Sequence, residues 1–109
     1  MIFMLTTHEH KALDTLKNVI SKKYKLIDFL VYGSKASGKD TEESDIDIMI
    51  ELEEEGRNVR WDIYNMVAEI NVSYGCVISP ILFSRRELED GPMDESPIYR
   101  RITKEGIRI

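Results

Sequence analysis

The stretch GSKASGKDTEESDID, residues 33–47, decides how this chain reads. It follows a nearly unbroken apolar run, KLIDFLVY at 25–32, and leads into an alternating run, DIDIMIEL at 45–52. The first run suits a buried strand, and the second a strand with two unlike faces. Ile46, Ile48, Ile50 and Leu52 share one face, and Asp45, Asp47, Met49 and Glu51 share the other. Between the two strands the sequence predicts a turn, a short helix and a polar loop.

Asp45 and Asp47 then stand about 7 Å apart on one strand face. Two carboxylates that close raise each other's pKa unless a cation relieves them. Mg2+ takes a few carboxylate oxygens and fills its remaining positions with water and substrate phosphates. The Gly-Ser pair supplies a complementary element. Gly33, at the end of a buried strand, permits close backbone approach. The following amides would open a short helix, whose N-terminus favours anions. The Ser34 hydroxyl adds a donor, and Lys35, Lys39 and Ser44 are near enough in sequence to reach outer phosphates.

The rest of the chain frames this unit. Thr6 and Glu9 have capping-box spacing, and Leu13, Leu16, Ile20 and Tyr24 recur at helical intervals, which predicts a helix over about 7–23. Val59, Ile63, Val67, Ile70 and Tyr74 mark a second long helix that Gly75 would stop. CVISPILF, 76–83, reads as a third strand, and Pro80 places it at a sheet edge. A short helix follows, capped by Ser84 through Glu87, then a loop at 91–97. A last helix begins near Pro97 and ends at Gly106. The expected fold is α/β in the order α-β-α-β-α-β-α, a small mixed sheet of about three strands flanked by helices, one domain over 1–109.

Charge narrows the function. The net charge is −5, yet 40–55 alone holds nine acids and no Lys or Arg, so the remaining 11 acids face 15 bases. An acidic segment of this kind repels nucleic acid, which argues against direct nucleic-acid binding and for a cation. No apolar run approaches the roughly 20 residues of a membrane helix, and the first ten residues lack the basic start of a signal peptide. Cys76 stands alone, which suits a reducing cytoplasm and a small buried side chain. His8 and His10 have no Cys or His cluster nearby and read as non-ligands. Trp61, Tyr64 and Ala68 form a second stripe on the second long helix, either a wide core face or a partner surface. RRITKEGIRI, 100–109, carries four bases and one acid, a solvated face or a contact for a negative partner.

The segment GSKASGKDTEESDIDIMIEL resembles the signature of the DNA polymerase beta-like nucleotidyltransferase superfamily, in which a strand, a Gly-Ser pair and about ten residues precede Asp-x-Asp on the next strand. The small size resembles the minimal nucleotidyltransferases, often antitoxins paired with HEPN-domain toxins. The resemblance implies that Gly33 and Ser34 hold a nucleotide triphosphate, with Lys35 and Ser44 as further nucleotide-binding residues. It implies that Asp45 and Asp47 are the catalytic metal ligands, for Mg2+ or Mn2+, with ATP as substrate. The expected activity is transfer of AMP to a hydroxyl, such as that of a tyrosine, of a HEPN-type partner.

Two departures stand out. The family usually has a third carboxylate on the following strand, and aligning PILFSRREL with its pattern puts Ile81 there. Members often carry Arg where this chain has Ser37, leaving Lys35 to supply that charge. Glu51 and Glu69 are the other acids weighed for the third position. The alternative function is therefore a catalytically weak or inactive module of the same fold that neutralises its partner by binding.

Overall fold

A computed structural model describes residues 5–37 and 45–109. The first helix, α1, runs Thr7–Lys23. Its N-terminus is fixed by a reciprocal capping box: Glu9 N donates to Thr6 Oγ1 at 3.1 Å, and Thr6 N donates to Glu9 Oε1 at 2.9 Å. Strand β1 covers Leu26–Tyr32, α2 is a single turn at Ser34–Ser37, and β2 covers Ile46–Leu52. Helix α3, Arg57–Tyr74, ends where Gly75 takes a left-handed conformation (φ 64°), as a glycine C-cap does. Strand β3 is Ile78–Ser84, and α4, Arg85–Asp90, starts on the Ser84/Glu87 capping box. A 3-10 turn at Pro92–Glu95 leads to α5, Pro97–Glu105, and a two-residue β4, Ile107–Arg108.

The sheet has four strands in the order β3-β2-β1-β4. β1 pairs antiparallel with β2 and with β4, and β2 pairs parallel with β3. The sheet is mixed, as expected, and β3 with its Pro80 lies at an edge. It has one strand more than expected. β4 is too short to show any alternation, and it forms because the chain turns back at Gly106 beside Leu30 and Val31. The expected loop at 91–97 contains the 3-10 turn.

Helices cover both faces of the sheet. Ala12, Leu13, Leu16 and Ile20 of α1 and Ile63, Val67 and Ile70 of α3 pack on Phe29, Val31, Ile46, Ile48, Ile50 and Leu52. Each of the Leu, Ile, Val and Phe side chains here contributes roughly 1.5–3 kcal/mol on burial. On the other face, Leu30, Met49 and Phe83 meet Leu88 of α4 and Ile102 of α5, with Tyr32, Ile81 and Tyr99 at the margin. Met49, which alternation groups with the aspartates, is thus fully buried under the second layer. Asp45 and Asp47 share its face beyond the end of that layer, with Asp45 exposed and Asp47 half-buried. Trp61 is 69% exposed and Tyr64 and Val72 are also exposed, so this stripe of α3 belongs to the surface.

Candidate active site

Three strands bring the site together. Asp47 lies between Tyr32 of β1 and Ser79 of β3 in register. After Tyr32 the chain turns at Gly33 with φ +72°, a conformation that L side chains rarely adopt. A Cβ on Gly33 would fall 2.7 Å from Asp47 Oδ2. Glycine is therefore required twice, by backbone angle and by space, and the turn carries the start of α2 directly past the second aspartate. α2 has four residues, too few for a helix dipole of any size, so the contribution of the turn is close backbone access.

Asp45 immediately precedes β2, and its Oδ2 accepts a hydrogen bond from Ser79 Oγ at 3.3 Å. Burial pushes the Asp47 carboxyl above the ordinary carboxylate range, and the charge of Asp45 pushes it further in the same direction. The Tyr32 hydroxyl is likewise raised, first by burial and then by Asp47. The pair is therefore a site of unrelieved negative charge that a cation would relieve. Among the described residues no group of three or more His, Cys, Asp and Glu could hold a metal. Two carboxylates suit Mg2+ or Mn2+ only if water and substrate oxygens complete the shell, and a phosphate-bearing substrate supplies such oxygens.

The register corrects the expected position of the third acid. Ser79, not Ile81, pairs with Asp47, while Ile81 pairs with Met49 and packs beside the second core layer. On β3 the residue there is a serine bonded to Asp45. Asn71 of α3 helps to set this register. Its Oδ1 accepts from Ile78 N at 2.8 Å and its Nδ2 donates to Ile78 O at 3.2 Å, which anchors the backbone one residue before Ser79. Neither Ser79 nor Asn71 stood out in the sequence. Glu51 does not join the aspartates, since it is buried at the far end of β2 opposite Asp28. Burial and then Asp28 raise its carboxyl. Glu69 lies on the exposed side of α3, beside Val72 and Ser73.

The family resemblance puts Lys35 among the nucleotide-binding residues. Its side chain is 1% exposed, and its Nζ lies 3.3 Å from Glu9 Oε2 on α1. The ammonium is thus turned into the protein, where it ties α2 to the capped start of α1. Ser34 opens α2 next to Gly33, whereas Ser44 and Lys39 lie outside the described residues.

Comparison with known proteins agrees with this geometry. The sequence profile described as Polymerase beta, Nucleotidyltransferase matches residues 14–90. The chain belongs to this nucleotidyltransferase family. It is 32% identical over 102 residues to the Methanocaldococcus jannaschii protein named "Putative protein adenylyltransferase MJ0604", a match that covers 91% of this chain and 95% of that protein. It is 50% identical over 38 residues to "Putative protein adenylyltransferase MJ1379" of the same organism, which covers 35% of this chain and 38% of that protein. Among solved structures, "Structure of putative minimal nucleotidyltransferase" superposes with a TM-score of 0.64 at 18% identity, covering 92% of this chain and 91% of the other. A chain of "Crystal structure of the toxin-antitoxin with AMP-PNP" superposes with a TM-score of 0.57 at 15% identity, covering 94% and 72%. These structural likenesses bear on the fold, which is that of the nucleotidyltransferase family, with the four-stranded mixed sheet already described. No helix among the described residues is long and apolar enough to cross a membrane.

Proposed function

We propose that this chain is a single minimal nucleotidyltransferase domain, residues 1–109, that transfers AMP from ATP to a protein hydroxyl. The observation that carries the proposal is the approach of Gly33 to Asp47, which puts a phosphate-accessible turn against one of two neighbouring carboxylates. Gly33, Ser34 and Ser44 hold the triphosphate, and Asp45 and Asp47 are the ligands for Mg2+ or Mn2+. A divalent cation bound there supplies Lewis-acid neutralisation of the phosphoryl oxygens. The acceptor hydroxyl releases its proton to solvent as its oxygen bonds to the α-phosphorus, the bond from that phosphorus to the α,β-bridging oxygen breaks, and pyrophosphate leaves with that electron pair. Tyr32 and Ser79 hold Asp47 and Asp45 in place through register and through the Ser79 hydroxyl.

The acceptor we favour is a tyrosine hydroxyl on a HEPN-type toxin, with this protein acting as its antitoxin in the cytoplasm. Two likenesses support this reading: relatives named as protein adenylyltransferases and a fold shared with a chain of a toxin–antitoxin structure. The family resemblance implies a third acid beside the aspartate pair on the following strand, and the presence of Ser79 beside Asp47 there favours a second reading, in which the same fold neutralises its partner by binding with little or no transfer. Incubation of the protein with labelled ATP, Mn2+ and the product of an adjacent toxin gene separates the two. Label on the partner, with a mass gain of one AMP, is the expected result. Neutralisation without label would establish the second reading.

A further inference from the structure

Lys35 is turned toward Glu9, and Lys39 lies outside the described residues. A cavity of 210 Å³ opens beside the Gly33 turn, lined by Tyr32, Gly33, Ile98, Arg101, Ile102 and Glu105. Gly33 approaches Asp47 and also lines this cavity, and Tyr32, the register partner of Asp47, forms part of its wall. Arg101 is the one cation among its lining residues. Its Nε lies 3.3 Å from Glu105 Oε2, one helical turn on, and the side chain is largely exposed. Ile98 and Ile102 give it an apolar floor, along which an arginine stem can lie while its head stays mobile.

We propose that Arg101 is the residue that grips the outer phosphates of the nucleotide. The inference rests on the nucleotide reading of the Gly33–Asp47 site and extends it. In this placement the α-phosphate is at the aspartates and the outer phosphates follow the Gly33 turn, which lines the same cavity as Arg101. A guanidinium matches phosphate oxygens in a bidentate fork, which an ammonium cannot do. Glu105 holds Arg101 in the nucleotide-free protein and gives it up when the stronger phosphate charge arrives. This gives the basic C-terminal segment a role. Arg100 and Lys104 carry the same charge on the same helix but do not line the cavity, so the proposal is specific to one position.

The test is titration of a fluorescent ATP analogue with Mn2+ into the full chain and into Arg101→Gln, Arg101→Lys, Glu105→Gln, Arg100→Gln and Lys104→Gln, with folding of each checked by circular dichroism. Arg101→Gln is expected to weaken binding roughly tenfold or more, as loss of a charged hydrogen-bonding partner does. Arg101→Lys recovers part of the loss, and the Arg100 and Lys104 variants bind like the wild type. Glu105→Gln binds as well as the wild type or better. A purely structural role in the Arg101–Glu105 pair predicts instead that both partners' variants weaken binding together, and that result overturns the proposal. So does an Arg101→Gln protein that binds unchanged, or a loss matched by the two controls. If the wild type itself fails to bind the analogue, the nucleotide reading falls and this inference falls with it. If the wild type binds and Arg101→Gln binds equally, this inference alone falls.

Discussion

The Asp47 carboxylate rests against Gly33 so closely that the first atom of any side chain on that glycine would meet Asp47 Oδ2 at 2.7 Å. Backbone angle and space make the same demand, since φ is +72°. Gly33→Ala should therefore cost about 1–2 kcal/mol from the left-handed backbone alone. It should also displace Asp47 and weaken metal-dependent ATP binding. Urea unfolding and calorimetric titration of the variant check the two effects. A stable Gly33→Ala protein with unaltered ATP binding would mean that the close approach has no bearing on the site.

The position beside Asp47 on β3 is Ser79. Ser79→Asp should raise affinity for Mn2+ severalfold, and without metal it should lower the melting temperature, because a third like charge joins an already strained pair. Ile81→Asp should leave metal affinity unchanged. It would put a carboxylate beside Met49 and the second core layer, costing at least about 1–3 kcal/mol with no gain in metal affinity. Parallel metal titrations and thermal melts of the two variants distinguish the registers.

That two-residue difference shows where the sequence stopped being informative. A slip of two along a strand keeps every side chain on its face, so alternation alone cannot detect it. The long α3 crossover separates β2 from β3, and the register depends on contacts such as Asn71 with the Ile78 backbone. Local signals served better. The capping boxes at Thr6/Glu9 and Ser84/Glu87 form as their spacing implies, and Pro80 lies on an edge strand. The Gly33 turn and the shared face of Asp45 and Asp47 were also legible, because each depends on neighbours in sequence. The path of Lys35 was not, since its partner Glu9 lies on a different helix.

The Lys35–Glu9 pair should act on stability rather than on nucleotide binding. Glu9→Gln retains an acceptor for Thr6 N but removes the Glu9 charge beside a buried ammonium, which should lower stability measurably. Lys35→Met removes the buried charge itself and should cost less. Chemical denaturation orders the two variants. A folded Lys35→Met protein should bind ATP nearly as well as the wild type, and a large loss of affinity would return Lys35 to the phosphate site.

Asp47 also sets a pH dependence. Its folded pKa lies above its unfolded value, mainly through burial and further through Asp45, so the folded state holds that proton more tightly. The resulting stabilisation is present below the ordinary carboxylate range and is lost as pH rises through the raised folded pKa. Metal-free Asp47→Asn should therefore melt above the wild type at about pH 7, by a few degrees at most, and close to it at about pH 3, where both side chains are neutral. Thermal melts at the two pH values check this. A variant that is less stable at neutral pH would make Asp47 a structural residue.

The central claim is that Asp45 and Asp47 hold the metal for nucleotide transfer on an otherwise intact fold. The most direct measurement is calorimetric titration of ATP with Mn2+ into the wild type and into the Asp45→Asn, Asp47→Asn double variant, with circular dichroism of both. The account predicts metal-dependent binding to the wild type, none to the double variant, and the same folded spectrum for each. Metal-dependent ATP binding that persists in the folded double variant would contradict it.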